Sequence, residues 1–141
     1  MDFQVKRNTQ DINWAEVNQL LKGFGLTNHT VLETKFAFEH SQEVVFILLD
    51  NRLIGCGRAL TDYIAQASIY NIAVDKDYQG LGIGKVIIKT FVDYLSKCNI
   101  TLYTHPNTVS WYKQLGFESM KTGMAIYHES HIEELRKMNF V

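Results

Sequence analysis

Between residues 74 and 85 the chain reads Val-Asp-Lys-Asp-Tyr-Gln-Gly-Leu-Gly-Ile-Gly-Lys, with glycines at 80, 82 and 84. An apolar run with strand character, residues 68–74, leads into this turn, and the most regular amphipathic stretch of the chain, residues 84–98, leaves it. In that stretch Ile87, Ile88, Phe91, Val92, Leu95 and Cys98 make one helical face, opposite Lys85, Lys89, Asp93 and Lys97. A strand, a turn and a helix in this order bring the chain back beside its first strand, so the strand predicted over 100–104 should run parallel to 68–74. The glycines permit positive φ and close approach of a ligand to the main chain. The free N–H groups of the following helix, with the positive end of its dipole, point back at the same turn. Such a turn is an anion site, most often for phosphate.

Three phosphate-binding patterns can be compared with it. A nucleotide-hydrolysing loop requires G-x-x-x-x-G-K-[S/T]; here Gly84-Lys85 is followed by Val86, and the first glycine position holds Gln79. The dinucleotide fingerprint G-x-G-x-x-G fits Gly80 and Gly82 but meets Lys85 at its third glycine. The pattern that remains is Q/R-x-x-G-x-G/A, matched by Gln79, Gly82 and Gly84.

Composition narrows the setting. A length of 141 residues fits one domain, 1–141, with a core of its own. Hydrophobic residues at 46% and charged residues at 21% exclude a disordered or fibrous chain. The longest apolar run, residues 44–49, is too short to span a membrane, and residues 1–10 lack the apolar stretch of a signal peptide. Fourteen Lys and Arg against fifteen Asp and Glu give a net charge of −1, without a bulk basic footprint for nucleic acid. Cys56 and Cys98 have no zinc-like or C-x-x-C spacing and sit in apolar stretches, which suits buried thiols in a reducing cytoplasm. No repeat or linker divides the chain.

The remaining pattern is mixed. Strands are expected over 3–7, 44–49 and 53–60, the last two joined by a tight turn at Asp50-Asn51-Arg52. Helices are expected over 13–22, ending at Gly23 and Gly25, over 30–39 and over 108–115. Residues 117–120 and 124–128 suggest a hairpin, and Ser130 with Glu133 the capping box of a last helix, 131–139. That helix could support a homodimer. The order predicts an α/β or α+β fold with a mixed sheet. His128-Glu129-Ser130-His131 falls short of the zinc motif H-E-x-x-H, which would need histidine where Ile132 stands, so no metal is expected.

Set after Ile72-Ala73-Val74, the Gln79–Gly84 pattern resembles the pyrophosphate loop of the GCN5-related N-acetyltransferase (GNAT) superfamily. Two further blocks stand in the family's order. Leu53-Ile-Gly-Cys-Gly-Arg58 is similar to the central strand L-V-G-x-x-R, and Trp111-Tyr112-Lys-Gln-Leu-Gly116-Phe117 to F/L-Y-x-x-x-G-F. The stretches Gly57 to Asp62, Ile69 to Val74 and Met120 to Met124 resemble a compact branch that includes the plant serotonin N-acetyltransferases and small bacterial relatives.

The resemblance implies a GNAT fold, a twisted six- to seven-stranded mixed sheet flanked by about four helices. It implies acetyl-CoA as acyl donor and a small primary amine as acceptor, with direct attack in a ternary complex. An acyl-CoA-binding module with little turnover and a transferase acting on peptides or proteins are the alternatives. The coenzyme's diphosphate would lie on the main-chain N–H groups of Gln79, Gly80, Leu81, Gly82, Ile83, Gly84 and Lys85. Its pantetheine arm would pair with the strand edge at Ile72, Ala73 and Val74, where one amide would hold the acyl oxygen. From periodicity alone those three are buried strand residues, and Lys85 is equally a solvated lysine. Tyr112 would be the general acid, its other reading being a core aromatic with Trp111 and Phe117. Asn107 is carried as a cofactor contact, although Pro106 occupies the family's register. The strand 68–74 holds no carboxylate to act as base, since Asn71 stands where plant-like relatives often have Asp. An aromatic amine, already neutral near pH 7, would need no strong base; otherwise a water-mediated relay to Asp62, His105 or Tyr70 is the route. Aromatics Trp14, Phe24, Phe36, Phe38 and Tyr63 could face an apolar amine.

Overall fold

The computed structural model describes residues 2–128 and 132–141. The chain divides into two units, Met1–Leu102 and Tyr103–Val141.

In the first unit the elements follow in the order β1 (Gln4–Lys6), α1 (Trp14–Gly23), α2 (Val31–Glu39), β2 (Glu43–Leu49), β3 (Arg52–Thr61), β4 (Gln66–Val74), α3 (Ile83–Tyr94) and β5 (Asn99–Thr101). A 3-10 turn, Lys76–Tyr78, stands between β4 and α3. The sheet runs β1-β2-β3-β4-β5, with every neighbour antiparallel except β4 and β5. The predicted parallel pairing through a helical crossover is therefore present. β2 and β3 are joined by Asp50 and Asn51 alone, at φ 50° and 63°. Two left-handed residues of this kind make the turn that matches strand twist, and Asp and Asn tolerate it best among residues with side chains.

Local chemistry sets the helix ends. The Asn13 side chain accepts from the Glu16 N–H at the start of α1. At its end Gly25, φ 67°, lets Leu26 N–H reach the Leu21 carbonyl and Gly25 N–H the Lys22 carbonyl, as sequence suggested for the glycines there. α2 starts with a full capping box between Thr30 and Glu33.

The sheet has a core on each face. On one, Val17, Leu21, Phe38, Phe46, Cys56 and Ala73 pack together, with Trp14 against them. On the other lies α3, whose Ile83, Ile87, Ile88, Phe91 and Leu95 are buried. β3 alternates between the two: Cys56 faces the first core, while a Cβ on Gly55 would stand 3.2 Å from Ile87. α3 spans a shorter range than the expected 84–98, and two residues leave the predicted apolar face. Val92 is exposed, and Cys98, which lies beyond the helix end, is half-buried.

The second unit holds a 3-10 turn, Pro106–Thr108, followed directly by α4 (Val109–Gln114), and ends with α5 (Ile132–Lys137). Among the described residues the strands number five and the α-helices five, against six to seven strands and about four helices expected. The hairpin predicted over 117–128 does not form. Met124 and Ile126 carry its alternating pattern but stand almost fully exposed, and a two-stranded ribbon that buries no face is marginal in water. The cap predicted at Ser130 and most of the zinc-like tetrad lie outside the described residues.

Candidate active site

β4 is irregular where the site residues lie. Cys56 pairs with Ala73 and Arg58 with Tyr70, so β4 contributes one residue more than β3 between these pairs. This is a β-bulge, and Asn71 within it takes φ 58°. On its other edge β4 pairs with β5 only at Gln66, Ala67 and Ser68. The Ser68 and Thr101 hydroxyls, 3.2 Å apart, mark the end of that ladder. Beyond it no strand of the first unit continues beside residues 69–74 among the described residues. Ile72 and Val74 thus carry main-chain donors and acceptors that the sheet does not use on this edge, whereas Ala73, paired with Cys56, turns its own toward β3.

The open edge leads into the glycine turn. Asp75 N–H donates to the Ile54 carbonyl at 2.8 Å, and the Asp75 carboxylate receives Arg52 at 3.2 Å. The Gln79 side chain donates to the Val74 carbonyl at 3.0 Å, folding the loop back on the strand it left. Gly80 and Gly82 lie at φ 79° and 83° with nothing within 4 Å of where a Cβ would project. Gly82 caps α3 with no side-chain hydrogen bond, so the first-turn N–H groups around Ile83, Gly84 and Lys85 receive no cap from it. Gly80, Leu81 and Lys85 are exposed, whereas Ile83 is buried and anchors the helix start. A left-handed glycine loop, an uncapped twelve-residue helix and an unused strand edge fit a ligand that joins a diphosphate to an amide-bearing arm.

Asn107 and Tyr112 belong to the second unit. Asn107 is exposed, and its N–H donates to His105 Nδ1 at 3.1 Å. Tyr112 is half-buried on α4, edge-on to Trp111 and Phe117 at 4.8 and 5.7 Å between ring centres. Burial raises its phenol above the usual tyrosine range, with a hydrogen bond to Thr104 acting in the opposite sense. The phenol therefore keeps its proton at neutral pH, as an acid must.

Of the three relay candidates, Asp62 is occupied. Its Oδ1 accepts the N–H groups of Ile64, Ala65 and Gln66 at 2.8–3.1 Å, which holds its carboxyl below the ordinary range. His105 serves the turn at Pro106–Thr108. Tyr70 lies with its ring centre 5.2 Å from the Arg58 guanidinium. The aromatics expected to meet an amine divide: Trp14 and Phe38 are core partners of Phe46, whereas Phe36 is exposed and stacks on His40 at 3.8 Å. Tyr63 donates to Glu43 Oε2 at 2.7 Å. A cavity of about 390 Å³ lined by Lys6, Asp11, Glu16 and Leu53 among others contains none of the predicted residues. Arg58 and the Asn71 bulge escaped the sequence reading as a pair, because side chains on separate strands share no local pattern. The Gln79 contact with Val74 was visible only as a motif position.

Residues 11–117 match the Acetyltransferase (GNAT) family. The chain belongs to that family. It is 33% identical over 117 residues to the uncharacterized N-acetyltransferase ycf52 of Porphyra purpurea, an alignment spanning 78% of this chain and 67% of that protein. It is 29% identical over 136 residues to serotonin N-acetyltransferase 2, chloroplastic, of Oryza sativa subsp. japonica, spanning 89% and 68% of the two chains. The fold is that of a GNAT family acetyltransferase from Streptococcus pneumoniae, with a TM-score of 0.75 at 21% identity, covering 91% of this chain and all of that one.

Proposed function

We propose that this acetyltransferase moves an acetyl group from acetyl-CoA to a small primary amine, with both bound at once. The observation that carries this reading is the β4 edge left unpaired after Ser68 and running directly into the Gly80–Gly82 turn. Main-chain N–H groups from Gln79 to Lys85 would hold the diphosphate, and residues 72–74 the pantetheine amides, as an added strand would. When bound, acetyl-CoA supplies an acyl group activated as a thioester. Of the amides at Ile72 and Ala73, the Ile72 amide lies on the open edge and would donate to the acyl oxygen, a role worth about 2.7–4 kcal/mol at comparable sites. Tyr112 would hold a proton for the departing sulfur, and Asn107 would contact the coenzyme. The acceptor is placed among small amines because the rice relative is named for serotonin. An alkylamine, with a pKa near lysine's ~10.4, must lose a proton before it attacks, and since no carboxylate lies on β4 that proton would leave through water or another side chain. The two free thiols suit a reducing compartment such as the cytoplasm.

The test compares coenzyme A with pantetheine by calorimetry, then measures thiol release from acetyl-CoA against a panel of amines. Coenzyme A should bind and pantetheine should bind far more weakly. Gly82→Val should weaken coenzyme binding roughly tenfold, since a side chain in the left-handed region costs about 1–2 kcal/mol. Equal coenzyme A affinity of Gly82→Val and the wild-type chain would remove the loop from the site. Tight binding with no amine-dependent thiol release would convert the reading to that of an acyl-CoA-binding module.

A further inference from the structure

The β4 bulge is gripped by side chains of β3. Between the pairs Cys56↔Ala73 and Arg58↔Tyr70, β3 places only Gly57 while β4 places Asn71 and Ile72. Arg58 directs Nε to Asn71 Oδ1 at 2.5 Å and Nη1 to Ser41 Oγ at 3.4 Å. Its guanidinium carbon lies 5.2 Å from the centre of the Tyr70 ring and 6.0 Å from that of Phe38. The group thus has its planar fork fixed by two strands and by the turn after α2, and its short bond goes to the residue with left-handed backbone. The Asn71 carbonyl receives the Cys56 thiol at 3.5 Å.

The extra residue also resets the phase of β4. Tyr70 and Asn71 both address Arg58, whereas Ile72 points to the opposite face, where its Cδ1 lies 2.5 Å from the position of a Gly57 Cβ. Ala73 then returns to the Cys56 face. Without the bulge every residue after Asn71 would exchange faces, and each main-chain amide would turn with it.

We propose that Arg58 is a positioning residue for acetyl transfer: by donating from Nε to Asn71 Oδ1 it holds the bulge that sets the direction of the Ile72 amide toward the open edge. This rests on the function proposed above, which makes that amide the donor to the acyl oxygen. Arg58 touches no reacting atom in this scheme. Its contribution is the aim of a main-chain donor, and catalysis is steep in such geometry.

The experiment is a double-mutant cycle with two readouts. Arg58→Ala should lower kcat roughly 10- to 100-fold while coenzyme A affinity by calorimetry stays within about twofold. Glycine enters the left-handed region without a clamp. In an Asn71→Gly background, therefore, adding Arg58→Ala should cost less than about twofold more, a departure from additivity expected only of coupled sites. Amide ¹H–¹⁵N resonances of Ile72 and Ala73 should move in Arg58→Ala and stay in place when the same change is added to Asn71→Gly. Arg58→Lys, which keeps the charge and stem but not the Nε fork, should follow Arg58→Ala and replaces it if that variant does not fold. Full turnover in Arg58→Ala, an equal loss in both backgrounds, or unmoved amides would each overturn the positioning role alone. A wild-type chain that neither binds coenzyme A nor releases thiol would overturn the parent function, and this role with it.

Discussion

A Cβ placed on Gly57 would lie 2.5 Å from Ile72 Cδ1 and 3.0 Å from the Phe91 ring. The position has ordinary strand φ, so the requirement is space rather than conformation. Gly57→Ala should therefore destabilise by about 1–3 kcal/mol, the range for overfilled cores. Adding Ile72→Val, which removes Cδ1, should recover part of the loss; urea midpoints for the two variants check this. In sequence Gly57 stands in a G-x-G run that gives no hint of which neighbour fills the gap. The site glycines were easier to read. Gly80 and Gly82 alternate before a strong helix, and that local order alone announced the turn. Asn71 was noticed for the carboxylate it replaces, while its left-handed backbone and its bond to Arg58 depend on strand register, which no window of neighbouring residues records.

Helix α2 shows how an element can form against a faint pattern. Its residues Val31–Glu39 carry apolar side chains on several sides, and Leu32 and Phe36 remain exposed. The capping box supplies what periodicity does not. Thr30 Oγ1 accepts the Glu33 N–H at 3.1 Å and Glu33 Oε1 the Thr30 N–H at 2.9 Å. Those bonds also hold the Glu33 carboxyl below its ordinary range. Thr30→Ala should lower stability by about 1 kcal/mol, with the loss read by thermal melting and localised to α2 by faster amide exchange there. α3 needed no such help, since four core side chains recur at helical spacing, and sequence located it to within a few residues. The 117–128 segment failed for the converse reason: alternation of Met124 and Ile126 is a strand pattern, yet pairing depends on a partner that no local pattern supplies.

At the scale of the molecule, the family, the crossover and the glycine loop were all legible, whereas the sheet's strand count and the pairing around the bulge were not. Order along the chain is a one-dimensional quantity, and strand closure and phase are not. One global property follows from the buried thiol. Cys56 is fully enclosed, and burial pushes its pKa up to about 12. An unfolded cysteine loses its proton near pH ~8.5. The folded form thus gains relative stability only while the thiol is neutral in both states. That contribution is complete below about pH 8.5 and is lost as pH rises toward 12. Equilibrium unfolding across this window should show a falling stability that flattens in Cys56→Ala. A thiol reagent should modify Cys98 in the native protein and reach Cys56 only on unfolding.

The unpaired β4 edge and its glycine turn have a further consequence for how such a chain diversifies. A coenzyme grip built from peptide bonds, as proposed here, would be inherited with the backbone's path, whatever letters are written along it. Donor recognition of that kind would outlast extensive change in the alphabet, while the side chains that choose the acceptor would be free to be rewritten.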